Sequence, residues 1–97
     1  MISVKIHTRG TERILAACDH ELLGKEFRDG VMRLKVSEAF YKGEDISEET
    51  LAERMKNVTI MNLVGERTVS AAQRMGYVSE DAVVTIGGVK HAQAVIM

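Results

Sequence analysis

Three times in this chain, glycine marks the centre of a short reversal with alternating runs on either side, and that pattern restricts the fold more than any other feature. Ile2, Val4 and Ile6 alternate with Ser3, Lys5 and His7, which predicts a half-buried strand. A turn around Gly10, at residues 9–12, leads into a return strand over 13–18 with Ile14, Ala16 and Cys18 on one face. Asp29-Gly30 separates runs at 25–28 and 31–36, and Asp-Gly is favoured where a two-residue hairpin needs positive φ. In that register Phe27 faces Met32, Leu34 and Val36 continue the same face, and Glu26 falls opposite Arg33 as a cross-strand ion pair. Gly87-Gly88 joins a run at 82–86 to one at 89–96. Three hairpins require about six short strands, paired mostly antiparallel.

Helical signals lie between the hairpins. Residues 20–24 read as a short turn closed by Gly24, with Asp19 as its cap. Ser37 is placed to cap a short helix over 38–42, ending at Gly43. Ser47 is placed to cap a helix over 48–57, with Glu48 and Glu49 in the first turn, where the helix dipole favours negative charge. Leu51, Met55 and Val58 then face the core. Ile60, Leu63, Val64, Thr68, Ala71, Ala72 and Met75 recur at steps of three and four, which predicts a helix over 61–75. Gly76 stops it, and Tyr77 and Val78 pack after it. The predicted fold is α+β: a mostly antiparallel sheet with helices 48–57 and 61–75 packed on one face.

A length of 97 residues predicts one domain with a modest core. Aromatics are 4%, so that core must be aliphatic, with six Met as adaptable filler. The single cysteine excludes an internal disulfide and a cysteine-rich zinc cluster. No apolar run nears the roughly 18 residues of a membrane span, and the first ten residues do not resemble a secretory leader, so a cytoplasmic location is expected. The formal net charge of −1 argues against strong non-specific phosphate binding. Five of the fourteen acids, however, lie between Glu44 and Glu53, so nine acids face thirteen bases elsewhere.

The segments ACDHELLGKEF, VSEAFYKG, NLVGERTV and IGGVKHAQ together resemble an archaeal family, domain of unknown function 424. The likeness runs over nearly the whole chain. It implies an archaeal cytoplasmic protein of one domain, loosely associated with translation and RNA-processing genes, and it implies no established activity.

Two polar groups stand out. His91 and Gln93 share a face of the last strand with Val84, Ile86, Val89 and Val95. His91 is there either a structural residue or an acid, base or hydrogen-bond donor in a polar notch. Asn62, Gly65, Glu66 and Arg67 form the second group. A glycine inside a helix costs about 1 kcal/mol relative to alanine. Gly65 therefore marks either close packing or an approach to a ligand, with Arg67 as an anion or partner contact and Asn62 and Glu66 on one helix face. Cys18 with His91 and Asn62 has the residue types of a nucleophile set, but its alternation with Ile14 and Ala16 predicts a small buried residue. His7, His20 and His91 lack metal-ligand spacing, and no cofactor motif is present.

Three functions follow. The first is a binding module for RNA or for ribosomal or translation proteins, with Lys5, Arg9, Arg13, Lys25, Arg28, Lys35 and Lys90 as contacts. No strand carries paired stacking aromatics, so phosphate and shape contacts would dominate. The second is a protein-interaction subunit or homo-oligomer, signalled by apolar surface on the uncovered sheet face. The third is a small enzyme in which His91, Asn62, Glu66 and Arg67 converge.

Overall fold

Strand pairing follows the alternation of the sequence. A computed structural model describes residues 1–96. In chain order the elements are β1 (Ile2–Arg9), β2 (Glu12–Asp19), β3 (Glu26–Asp29), β4 (Met32–Lys35), α1 (Glu38–Tyr41), β5 (Glu44–Ile46), α2 (Glu48–Met55), β6 (Ile60–Val64), α3 (Glu66–Arg74), β7 (Val84–Ile86) and β8 (Val89–Val95). Six strands form one sheet in the order β5-β1-β2-β6-β8-β7, and β3-β4 make a separate two-stranded ribbon. The α+β class, the three hairpins β1–β2, β3–β4 and β7–β8, and the mainly antiparallel pairing agree with the sequence reading. Among the described residues β2 and β6 are the one parallel pair, joined by a long crossover.

Alternation sorts the sheet into two faces. Ile2, Val4, Leu15, Ala17, Met61, Leu63, Ala92 and Ala94 point to one side, where Leu51 and Met55 of α2 and Val69, Ala71 and Ala72 of α3 cover them. Ala16, Cys18, Val64 and Ile86 point to the other, under Tyr41 of α1 and Leu34 and Phe27 of the ribbon. The molecule is thus layered: helices, sheet, then ribbon and α1. The ribbon lies directly on the β7–β8 turn. A Cβ on Gly87, whose φ is +57°, would stand 3.0 Å from the Arg28 carbonyl oxygen.

The first two helices start at serine caps. Ser47 accepts from the Thr50 N–H to open α2, and Ser37 accepts from the Phe40 N–H to open α1. Arg54–Glu44 (2.6 Å) and Arg74–Glu48 (2.9 Å) tie α2 to β5 and to α3.

Three local expectations are corrected. The helix predicted over 61–75 begins only at Glu66; residues 60–64 are the central strand β6. β6 is a central strand whose apolar residues at 60, 61, 63 and 64 fit a buried helix equally well, and periodicity cannot separate the two over so short a run. Gly65 therefore lies at the helix start with φ +107°, not inside the helix. In the ribbon, Phe27 pairs with Leu34 and Glu26 with Lys35, so the turn residues are Gly30 and Val31. Gly30 alone takes positive φ, as turns with glycine first require, and Asp29 stays in the strand. The Glu26–Arg33 ion pair forms nonetheless, diagonally, at 3.3 Å. Finally, Asp19 makes no side-chain cap on the turn that follows it. Its carboxylate, 4% exposed, reaches α3 instead. It accepts from the Thr68 N–H (2.9 Å), the Thr68 hydroxyl (2.8 Å) and the Arg67 N–H (3.2 Å).

That contact also explains Gly65. A Cβ there would stand 2.4 Å from Asp19 Cγ, on backbone that side chains rarely adopt. Asp19→Ala removes the acceptor of three donors, two of them buried, and is expected to cost about 2–3 kcal/mol. Gly65→Ala is expected to cost about 2–4 kcal/mol through strain and the clash. Urea unfolding measures both. A loss below about 0.5 kcal/mol for either would show that this junction does not hold α3 in place.

Candidate functional site

Pairing across the sheet lays the candidate residues out in rows on the ribbon side. One row runs Lys5, Ala16, Asn62, Gln93. The next runs His7, Ile14, Ile60, Val95, and the row on the other flank runs Ser3, Cys18, Val64, His91, Val84. Asn62, His91 and Gln93 therefore come together on one open stretch of the face. Tyr41, buried beside them, donates its hydroxyl to Asn62 Oδ1 at 2.6 Å. His91 Nδ1 lies 3.0 Å from the Leu63 carbonyl oxygen, which can only accept, so that nitrogen carries the proton. His7 Nε2 donates to the Phe40 carbonyl at 2.8 Å, and the two rings stack at 4.6 Å.

Gly65, Glu66 and Arg67 belong to a different place. They sit at the exit of β6 and the first turn of α3. Glu66 pairs with Lys90 at 3.0 Å, and Arg67 grips both oxygens of Glu21 at 2.8 and 3.0 Å. The hydrogen bonds of Asn62 and His91 go to Tyr41 and Leu63, so the six residues split into a sheet-face group and a helix-start group. Asn62 and Glu66 do not share a helix face, because Asn62 stands on a strand. Asp19 and Tyr41 organise the two groups, and neither was singled out as a site residue. Asp19 acts 49 residues away on Thr68, a separation at which the sequence offers no local signal.

The basic candidates divide in the same way. Arg28 and Arg33 share one carboxylate, Glu26, at 3.4 and 3.3 Å. Lys5 Nζ bonds the Ala39 carbonyl (3.0 Å), whereas Arg13 Nε bonds the Asn57 carbonyl beyond α2 (2.9 Å). Lys90 is held by Glu66. Arg9, Lys25 and Lys35 are exposed. On the opposite side, an open depression of about 700 Å³ is lined by Ser70, Gln73, Arg74, Glu80, Val83, Thr85 and Lys90, but its two cations are already paired with Glu48 and Glu66. Among the described residues no three His, Cys, Asp or Glu side chains group as metal ligands. No helix among them is long and apolar enough to cross a membrane.

A layered α+β protein with a mixed six-stranded sheet, two helices on one face and a basic ribbon on the other is the class that these elements define. The chain belongs to the family described as a protein of unknown function (DUF424), whose model matches residues 6–97. It is similar to a solved structure, an uncharacterized conserved protein from Methanopyrus kandleri, with 30% identity and a TM-score of 0.86 over 99% of this chain and 91% of that one. No curated protein matches it.

Two groups beneath the candidate face have raised pKa values. Burial, then the nearby Asp19, Glu21 and Asp45 charges, pushes the Cys18 thiol from 9.0 up to about 12. Burial, then Cys18, pushes the Tyr41 phenol from 10.0 up to about 12. Cys18 therefore has no thiolate character at neutral pH. Both folded values exceed the unfolded ones, so their contribution to stability is complete below pH 9 and is lost as pH rises toward 12. The expected slope is up to about 1.4 kcal/mol per pH unit for each group. Urea midpoints measured from pH 8 to 11 should fall, and Cys18→Ala should flatten the first part of that fall. An unchanged slope in Cys18→Ala would contradict the assignment.

Proposed function

We propose that the protein is a small RNA-binding module that holds phosphates with the ribbon side of its sheet. The observation that carries this reading is the distribution of cations. In the helix layer Arg54, Lys56, Arg67 and Arg74 each have a glutamate partner. Among the described residues Lys5, Arg9, Lys25, Lys35 and Lys42 have no acid at ion-pair distance; they lie on β1, on the ribbon or just before it, and at the end of α1. Arg28 and Arg33 add a surplus, since two guanidinium groups meet one carboxylate. Arg13 departs from the pattern and lies on the helix side. With a chain charge of −1, attraction comes from this local patch rather than from the whole molecule. The face of the ribbon turned away from the sheet presents Arg28, Arg33 and Lys35 together, as phosphate contacts require.

A protein partner is the second reading. It is supported by the ribbon tip, where Val31 is fully exposed and Met32 45% exposed.

Fluorescence anisotropy with a labelled single-stranded RNA, measured over a range of salt, tests the first reading. Affinity should fall with salt, with a slope near −0.7 for each phosphate contact. The triple substitution Arg28→Ala, Arg33→Ala, Lys35→Ala should weaken binding by about tenfold or more and reduce that slope. Lys56→Ala with Arg74→Ala, in the helix layer, should change it by less than about twofold. Salt-independent binding, or equal loss in both variants, would overturn the proposal.

A further inference from the structure

Asn62, His91 and Gln93 form a small polar site whose hydrogen-bonding directions are set in advance. The Tyr41 hydroxyl has one hydrogen, and among the described residues Asn62 Oδ1 is its one acceptor. That bond orients the amide, since turning it over would leave the hydroxyl hydrogen without an acceptor in a buried position. The Asn62 Nδ2 donors then have no protein acceptor among the described residues. His91 is fixed in the same manner: Nδ1–H is committed to the Leu63 carbonyl, which leaves Nε2 as an acceptor. Asn62 pairs with Gln93, and Val64 with His91, so Asn62 and His91 are diagonal neighbours. Such neighbours lie about 7 Å apart, within the span of one planar group. Gln93 is exposed beside them, with an amide free to turn either way. Half-buried Ile60 and exposed Val84 and Val95 border the site on its two sides.

We infer that this site reads the Watson–Crick edge of one unstacked RNA base, Asn62 Nδ2 donating to it, His91 Nε2 accepting from it and Gln93 completing the contact. The inference rests on the RNA-binding proposal above and adds a base preference to it. On that edge adenine and cytosine set an exocyclic donor beside a ring acceptor and uracil sets an exocyclic acceptor beside a ring donor, so a donor and an acceptor fixed in place meet these bases in different senses. The edge is available only in a single strand, because pairing occupies it in a duplex. Apolar neighbours can contact the faces of the base, while the ribbon cations hold the adjoining phosphates. Tyr41 touches no base; it is a positioning residue that keeps the Asn62 donors turned outward.

Labelled ten-nucleotide oligo(A), oligo(C) and oligo(U) provide the test. Wild type should bind its best homopolymer about tenfold more tightly than its worst. Asn62→Ala should bring the three within about twofold of one another. Tyr41→Phe, which keeps the ring and removes the hydroxyl, should narrow the preference in the same direction, as should Gln93→Ala at an exposed position where folding is not at stake. The triple ribbon variant should weaken all three in parallel. Equal binding of the three homopolymers by wild type, with a salt slope that depends on the ribbon, would overturn the base site and leave the RNA proposal standing. A preference that survives Asn62→Ala and Gln93→Ala would overturn it too. No binding of any homopolymer would end both.

Discussion

The carboxylate of Asp19 fixes the junction on which the two faces of the sheet depend. Strands β2 and β6 run parallel, so their C-terminal ends emerge at the same edge. There the chain must leave the sheet and begin α3, whose first N–H groups lack helical partners. Asp19, at the end of β2, accepts from Arg67 N–H, Thr68 N–H and the Thr68 hydroxyl. Gly65 permits that approach, because its missing Cβ is the space that the carboxylate occupies. With α3 started at Glu66, residues 60–64 remain strand and carry Asn62 to the ribbon side while Met61 and Leu63 point to the helices.

From this division follows the contrast between the two sides. The helix side buries the larger aliphatic core and pairs most of its charges within itself, as Arg54–Glu44, Arg74–Glu48 and Arg67–Glu21 illustrate. Exposed pairs of this kind contribute little stability, but they neutralise the surface. The ribbon side has a smaller core and an open stretch of sheet. Among the described residues its Lys5, Arg9, Lys35 and Lys42 have no ion-pair partner, and Asn62 and His91 are oriented by neighbours without being used up by them. Orientation before binding lowers the entropy lost on binding, which is the physical merit of a hydroxyl and a carbonyl spent in this way.

Most of the local architecture was legible in the chain. Alternation at 2–7 and 13–18, the Ser37 and Ser47 caps and the Gly87-Gly88 turn are signals that act over a few residues, and the structure follows them. Position 61–75 misled because apolar residues at 60, 61, 63 and 64 satisfy a central strand as well as a helix. The decisive clue was Gly65, which looked like a helix defect and is the helix boundary. Asp29-Gly30 predicted the ribbon but not its register, since only Gly30 adopts positive φ and the pairing of Phe27 with Leu34 buries both against the sheet. The site was half legible. Histidine and amide residues on β8 stood out by spacing, but their union with Asn62 and the split from Glu66 and Arg67 depend on which strands are neighbours, as do the roles of Asp19 and Tyr41. Those are long-range facts that no local pattern contains.

The proposed role places RNA on the ribbon side of the sheet. Titrating isotope-labelled protein with a single-stranded RNA, and following the amide resonances, tests that placement residue by residue. Shifts should concentrate at residues 5–9, 25–35 and 91–93, with α2 and α3 undisturbed. Shifts confined to residues 48–55 and 66–74, or none at RNA concentrations well above those of the protein, would contradict it.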